Sequence, residues 1–129
     1  MIDFLAGKIG VEPQSILVCH VDRQTEPFKR HEEIAGTGVY MEYDTTTLFQ
    51  FHTEADEIKL LRRMVEGGFL KQILLSTDPE TNRMKAYGAS VGIDYILTHF
   101  IPLLKMNGFT AAEIHCMMRE NPAAALELR

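Results

Sequence analysis

At 129 residues the chain has the length of one domain, and its 46% hydrophobic and 24% charged residues leave no polar tract of the kind that stays disordered. A formal charge of −5 offers no clustered basic face for nucleic acid, and no apolar run approaches the ~20 residues of a membrane span. Met1-Ile2-Asp3-Phe4 lacks the basic region and apolar core of a signal peptide, and Cys19 and Cys116 read as two unpaired, buried thiols, so the expected compartment is the reducing cytoplasm.

In chain order, Ile2, Leu5 and Ile9 recur at helical spacing and Gly10 follows as a stop. A short loop leads into a first strand, Ile16-Leu17-Val18-Cys19-His20. The polar stretch 22–27 precedes a helix over residues 28–35, ended by Gly36 and Gly38. Val39-Tyr40-Met41-Glu42-Tyr43 is a second strand, aromatic and β-branched, and its loop from Asp44 to His52 carries three threonines and two phenylalanines. Thr53 is the expected N-cap of the next helix, with Asp56 at N3 in a capping box and Ile58, Leu61, Met64 and Val65 as the buried stripe. Gly67-Gly68 stops that helix, and a third strand, starting after Leu70, runs through Ile73-Leu74-Leu75-Ser76-Thr77-Asp78.

Residues 79–83 are turn-prone, and helix is expected over about 93–106, where Pro102 implies either a break or a second helix starting near it. Thr110-Ala111-Ala112-Glu113 is a capping box that opens a helix with Ile114, Met117 and Met118 inward. Asn121-Pro122 reads as an N-cap with proline at N1, starting a last helix through Leu126 and Leu128.

The order is one helix, three β–α units and extra helices, with no internal repeat or low-complexity linker. Such alternation implies an α/β fold of parallel strands joined by crossovers, in a single unit over residues 1–129. Three parallel strands make a thin sheet, and at least one edge is expected to lack a partner.

In parallel α/β folds, ligands gather at the carboxyl ends of strands. Here all three strands end in an ionisable group: His20, Asp44 and Asp78. Side chains alternate along a strand, so Ile16, Val18 and His20 share a face, and Glu42 shares the parity of Asp44. His20 reads either as a metal ligand whose second nitrogen donates to a neighbour or as a structural histidine on a loop carbonyl. Asp78 reads either as a ligand and general base or as an Asx-turn residue before Pro79. Two such ligands fall short of the three that a catalytic zinc normally takes from protein.

Arg23, Arg83 and Tyr87 lie just beyond strand ends and read either as clamps for an anionic substrate or as solvated surface. His31, His52, His99 and His115 have no ligand spacing and read as structural or surface residues. There is no P-loop, GxSxG, HExxH or GxGxxG.

His20-Val21-Asp22-Arg23, the strand from Gly38 to Asp44, the run from Gly68 to Asp78, Phe100-Ile101-Pro102-Leu103-Leu104 and Asn121-Pro122-Ala123 occur in order. Together they resemble the C-terminal part of the phosphotriesterase-related metal-dependent hydrolases of the amidohydrolase superfamily. The resemblance implies a partial (β/α)8 TIM barrel: strands six to eight with C-terminal helices, the C-terminal half of a metallohydrolase domain. It implies two metals, zinc in the first place and otherwise manganese, cobalt or iron. His20 matches the sixth-strand ligand of one metal, and Asp78 matches the eighth-strand ligand and base that holds the bridging hydroxide. Arg23, Arg83 and Tyr87 are then substrate residues and Asp44 a further rim residue.

In organophosphate-hydrolysing members the seventh strand ends Asp-His, whereas this chain has Asp44-Thr45. A lactone or a carboxylic ester or amide is therefore at least as good an expectation as a phosphoester. The family's first-strand His-x-His, its bridging lysine or glutamate and its fifth-strand histidine have no counterpart here. The expected reading is a C-terminal portion that is inactive without an N-terminal half, or one that self-associates. The alternative is a non-enzymatic α/β binding or interaction module retaining the rim.

Overall fold

A computed structural model describes residues 1–127, the side chain of Arg83 excepted, so the predicted helix end at Leu128 lies outside the described residues. Three short apolar runs, β1 (Leu17–Val18), β2 (Tyr40–Tyr43) and β3 (Ile73–Leu75), pair in parallel in the order β1-β2-β3. Leu17 stands opposite Tyr40, and Met41, Glu42 and Tyr43 stand opposite Ile73, Leu74 and Leu75. The ladder continues past the strands, with Tyr40 N–H donating to Ile16 O and Ser76 N–H to Tyr43 O.

Alternation gives the sheet two characters. Met41, Tyr43, Ile73 and Leu75 enter the core with Leu61, Met64, Phe100, Leu104 and Met117, while Tyr40, Glu42 and Leu74 occupy the opposite face. Helix α1 (Phe28–Ala35) follows β1, at the bounds the sequence predicts, and α2 (Glu54–Glu66) follows β2. Thr53 and Asp56 form the expected reciprocal capping box. The buried stripe of α2 contains Ile58, Leu61 and Met64 and also takes in Leu60 and an acidic residue, Glu57. Gly68, at φ 87°, turns the chain from α2 toward β3, a conformation open to glycine without steric cost.

Pro102 breaks no helix, and an α-helical segment starts at Ile101, beside it, as one of the two expected outcomes. Residues Ile96–Phe100 form a wide π turn that runs straight into α3 (Ile101–Met106), and Ile101 N–H reaches back to Ile96 O. The wider turn carries the helix past the missing proline N–H and the ring's clash with the preceding turn. The same device corrects the reading of Asn121. From α4 (Ala111–His115) the chain passes through a π segment, Cys116–Glu120, into α5 (Asn121–Leu126), so Asn121 is helical and is not an N-cap. Its buried amide instead donates to Leu70 O at 2.8 Å and Ile73 O at 2.7 Å, tying the C-terminal helices to the start of β3.

The sheet ends on β1, which among the described residues pairs only with β2 and leaves Leu17 exposed. The N-terminal helix Asp3–Ile9 lies beside it and exposes Phe4 and Ile9. Among the described residues no helix is long and apolar enough to cross a membrane.

Candidate active-site rim

The three strand exits do lie along one rim, but two of them are not extended. β1 stops at Val18, and His20 turns to φ 59°, opening a tight turn over Val21–Arg23. The expected sharing of one strand face by Ile16, Val18 and His20 therefore fails, because a left-handed residue ends the alternation. Asp78, past the end of β3, has φ 41°. Among the described residues these are the two non-glycine residues with positive φ. Such conformations cost of order 1–3 kcal/mol each and persist only where the surroundings impose them.

Asp44 stands between them at the end of β2, 3% exposed. His20 Nδ1–H donates to Asp44 Oδ1 at 2.9 Å and lies 2.8 Å from Oδ2. That contact fixes the tautomer and leaves the Nε2 lone pair as the free face of a half-exposed ring. Burial pushes the Asp44 carboxyl up to about 6, against the pull of His20 and with the repulsion of Asp22 and Glu42. Cys19, Glu42 and Asp44 bring ligand atoms within 4.8 Å of one another. Cys19 is exposed rather than buried as expected, because β1 has already ended. Partial burial and Glu42 beside it, then the charges of Asp44 and Asp78, hold its thiol up at about 11, so it is a poor thiolate ligand at neutral pH. The same influence of Asp78 on Cys19 marks the third strand exit as part of this electrostatic neighbourhood.

An imidazole oriented by a buried carboxylate, as His20 is by Asp44, offers one nitrogen that suits a divalent metal of the zinc type. His20 and Asp78 are the expected ligands, but among the described residues the rim group whose ligand atoms lie within 4.8 Å of one another is Cys19, Glu42 and Asp44, without either of them.

Arg23 is exposed, its guanidinium 5.3 Å from the centre of the Phe51 ring, and both border a cleft of about 520 Å³ that His20 also lines. Tyr87 ends a turn over Lys85–Tyr87 and is 67% exposed. The Arg83 backbone closes the turn Thr81–Arg83, and its side chain lies outside the described residues.

Behind the rim lies a second group that sequence spacing does not reveal. Asp22, His52 and Glu57 are buried, with ligand atoms within 4.8 Å of one another. Asp22 Oδ2 accepts from Thr45 N–H at 2.7 Å, and Thr46 Oγ1 donates to Glu57 Oε1 at 2.8 Å. His52 Nδ1–H donates to Thr53 O at 3.1 Å, and the Thr45 hydroxyl meets Nε2 at 3.1 Å. Burial and the nearby Asp22 charge push the Glu57 carboxyl up to about 8. Burial lowers the His52 pKa, but Asp22, the Thr53 carbonyl and Glu57 outweigh it and the net shift is upward. Asp22 comes from the turn after β1, while His52 and Glu57 flank the start of α2, so no local pattern announces all three. The one available signal is a glutamate at position 57 inside the apolar stripe of α2.

The model of the phosphotriesterase family matches residues 2–126 of this chain. The phosphotriesterase homology protein of Escherichia coli K12 is 31% identical over 115 residues, covering 88% of this chain and 39% of that protein. The N-acetyltaurine hydrolase of Bos taurus is 33% identical over 124 residues, covering 88% of this chain and 35% of that protein. The crystal structure of the Escherichia coli protein, with phosphate in its active site, superposes with a TM-score of 0.85 over 92% of this chain and 41% of that one. The chain thus spans little more than a third of the length of the curated relatives it matches.

Proposed function

Because this chain belongs to the phosphotriesterase family, we propose that it supplies the last three β/α units, strands six to eight, of a (β/α)8 hydrolase barrel. In this reading residues 1–129 are the C-terminal portion of one catalytic domain, and activity requires the remaining units. The observation that carries the reading is the pair of left-handed residues, His20 and Asp78, at two strand exits flanking the buried Asp44. Strained backbone at a metal-competent histidine and aspartate is what a preorganised site requires, and neither conformation serves the sheet.

The proposed reaction is hydrolysis of a carboxylic amide, ester or lactone, with a phosphoester as the lesser alternative. Support comes from the relative named an N-acetyltaurine hydrolase and from Thr45 standing next to Asp44, its hydroxyl committed to His52. A divalent metal pair, with zinc proposed, would supply Lewis-acid polarisation of the scissile oxygen when bound. His20 presents Nε2 because Asp44 holds Nδ1, so the ring enters the reaction already oriented. A carboxylate oxygen of Asp78 takes the proton of the attacking water and passes it to the leaving group. Arg23 at the mouth of the cleft, with Arg83 and Tyr87 from the loop after β3, is assigned to the substrate's anionic end. The two free cysteines fit a cytoplasmic setting.

The test is reconstitution with the part of the Escherichia coli relative that precedes its matched region, followed by assays on N-acyl amino sulfonates, lactones and aryl phosphotriesters. Hydrolysis that appears only on mixing, and is lost in Asp78→Asn, supports the reading. A folded, metal-loaded mixture with no activity on any of the three classes removes it.

A further inference from the structure

The buried group behind the rim presents a problem of charge and of hydrogen bonding that the proposed hydrolytic chemistry does not use. Two acidic side chains and an imidazole are enclosed together, with Asp22 and Glu57 at 0% exposure. Burying charge without compensation is costly, and buried polar atoms normally find partners. Yet Asp22 Oδ1 and Glu57 Oε2 each lack a hydrogen-bond partner among the described residues. A third orphan lies beside them: the Tyr43 hydroxyl, fully buried and without a partner among the described residues, close enough that Asp22 and Glu57 both act on it.

The histidine is already arranged as a ligand. The Thr53 carbonyl takes the Nδ1 proton, so the Nε2 lone pair faces Asp22 Oδ2, 3.7 Å away. Glu57 Oε2 comes within 4.0 Å of His52 on its Nδ1 side, so its carboxylate has to swing toward Nε2 to join the set, whose ligand atoms all lie within 4.8 Å of one another. Metal–ligand bonds of about 2.0–2.2 Å put neighbouring ligands about 3.4 Å apart, so small side-chain shifts close this set around an ion. The Thr45 hydroxyl, 3.1 Å from Nε2, gives up that contact when an ion binds.

We propose that Asp22, His52 and Glu57 form a second, structural metal site, separate from the catalytic rim, that takes a divalent cation of the zinc or manganese class. One imidazole nitrogen and two carboxylate oxygens select such an ion over the soft metals that thiolates bind. The ion satisfies the orphaned oxygens and neutralises the enclosed charge. Its position also fastens the loop after β2 to α2, because Thr45 and Thr46 are bonded to two of its ligands. With every ligand buried, loading accompanies folding rather than following it.

The test keeps the two sites apart. The full chain is produced in cobalt-supplemented minimal medium as wild type and as His20→Asn/Asp78→Asn, asparagine being tolerant of the left-handed backbone at both positions. The double variant leaves Asp22, His52 and Glu57 untouched, and cobalt is counted across a gel-filtration peak. About one ion per folded chain in the double variant, with one imidazole among oxygen ligands by X-ray absorption, is the expected result. Adding His52→Asn to that background should lower the count at least tenfold. Less than a tenth of an ion in the folded double variant, or an ion that survives His52→Asn, would overturn the proposal. The difference between wild type and the double variant reports only on the rim, so failure of one site is not mistaken for failure of the other.

Discussion

Asp44 holds His20, and the proposed role of Asp44 runs through that contact. With Nδ1 held at 2.8–2.9 Å by a buried carboxylate, the ring has one tautomer and one orientation to offer. Asp44→Asn should therefore weaken rim metal binding about 10- to 100-fold while leaving the thermal unfolding midpoint within a few degrees, as read by chelator competition and calorimetry. An unchanged affinity would return Asp44 to a structural role. His31 makes a different prediction. It is buried, its Nε2–H donates to Gln24 O at 2.8 Å, and its Nδ1 has no partner among the described residues. Burial is the main cause of its lowered pKa, with Arg30 adding to it against Gln24 O, Asp22 and Glu26. The folded state thus prefers neutral His31. Its contribution is present above the ordinary histidine pKa of about 6.5 and is lost as pH falls through the lower folded value. Urea midpoints measured from pH 7 to 5 should fall more steeply in the wild type than in His31→Gln, and parallel curves would contradict this. At this scale the sequence was legible where chemistry follows strand ends: His20, Asp44 and Asp78 were all visible as rim candidates. The left-handed backbones of His20 and Asp78 were not visible, because alternation carries no sign of where a strand stops. The His52 cluster was invisible because Asp22 reaches His52 and Glu57, which sit together at the start of α2, only through tertiary packing.

At the scale of elements, capping chemistry was the most readable layer. Thr53 with Asp56 and Thr110 with Glu113 are local, reciprocal and independent of the rest of the fold, and both form as expected. The helices around Pro102 and Asn121 were harder, because both depend on π turns that no residue pattern specifies. Asn121 illustrates the difference. In a helix-start reading its side chain would cap its own backbone, whereas in the fold it donates to Leu70 O and Ile73 O and accepts from the Cys116 thiol. Asn121→Ala leaves two buried carbonyls without that donor and should cost about 2–3 kcal/mol in denaturant unfolding. A loss below about 0.5 kcal/mol would mean that these contacts do not hold the C-terminal helices to β3.

For the whole molecule, the edge of the three-stranded sheet at β1 is the decisive feature. β1 has one described strand partner, and around it Phe4, Ile9 and Leu17 are exposed beside a cleft of about 700 Å³ lined by the N-terminal helix, β1 and α1. An apolar edge of this kind invites association. By light scattering the purified chain should run larger than a monomer, and adding the preceding part of the Escherichia coli relative should replace that species with a one-to-one complex. A monodisperse monomer indifferent to the added segment would count against a shared barrel. The central claim is that Asp78 is the base of a hydrolase completed in this way. The most direct measurement is kcat of that complex on its best substrate, with wild-type chain and with Asp78→Asn at equal metal content. A fall of about 10²- to 10⁴-fold in kcat with little change in KM is the predicted result. Equal kcat for the two would contradict it.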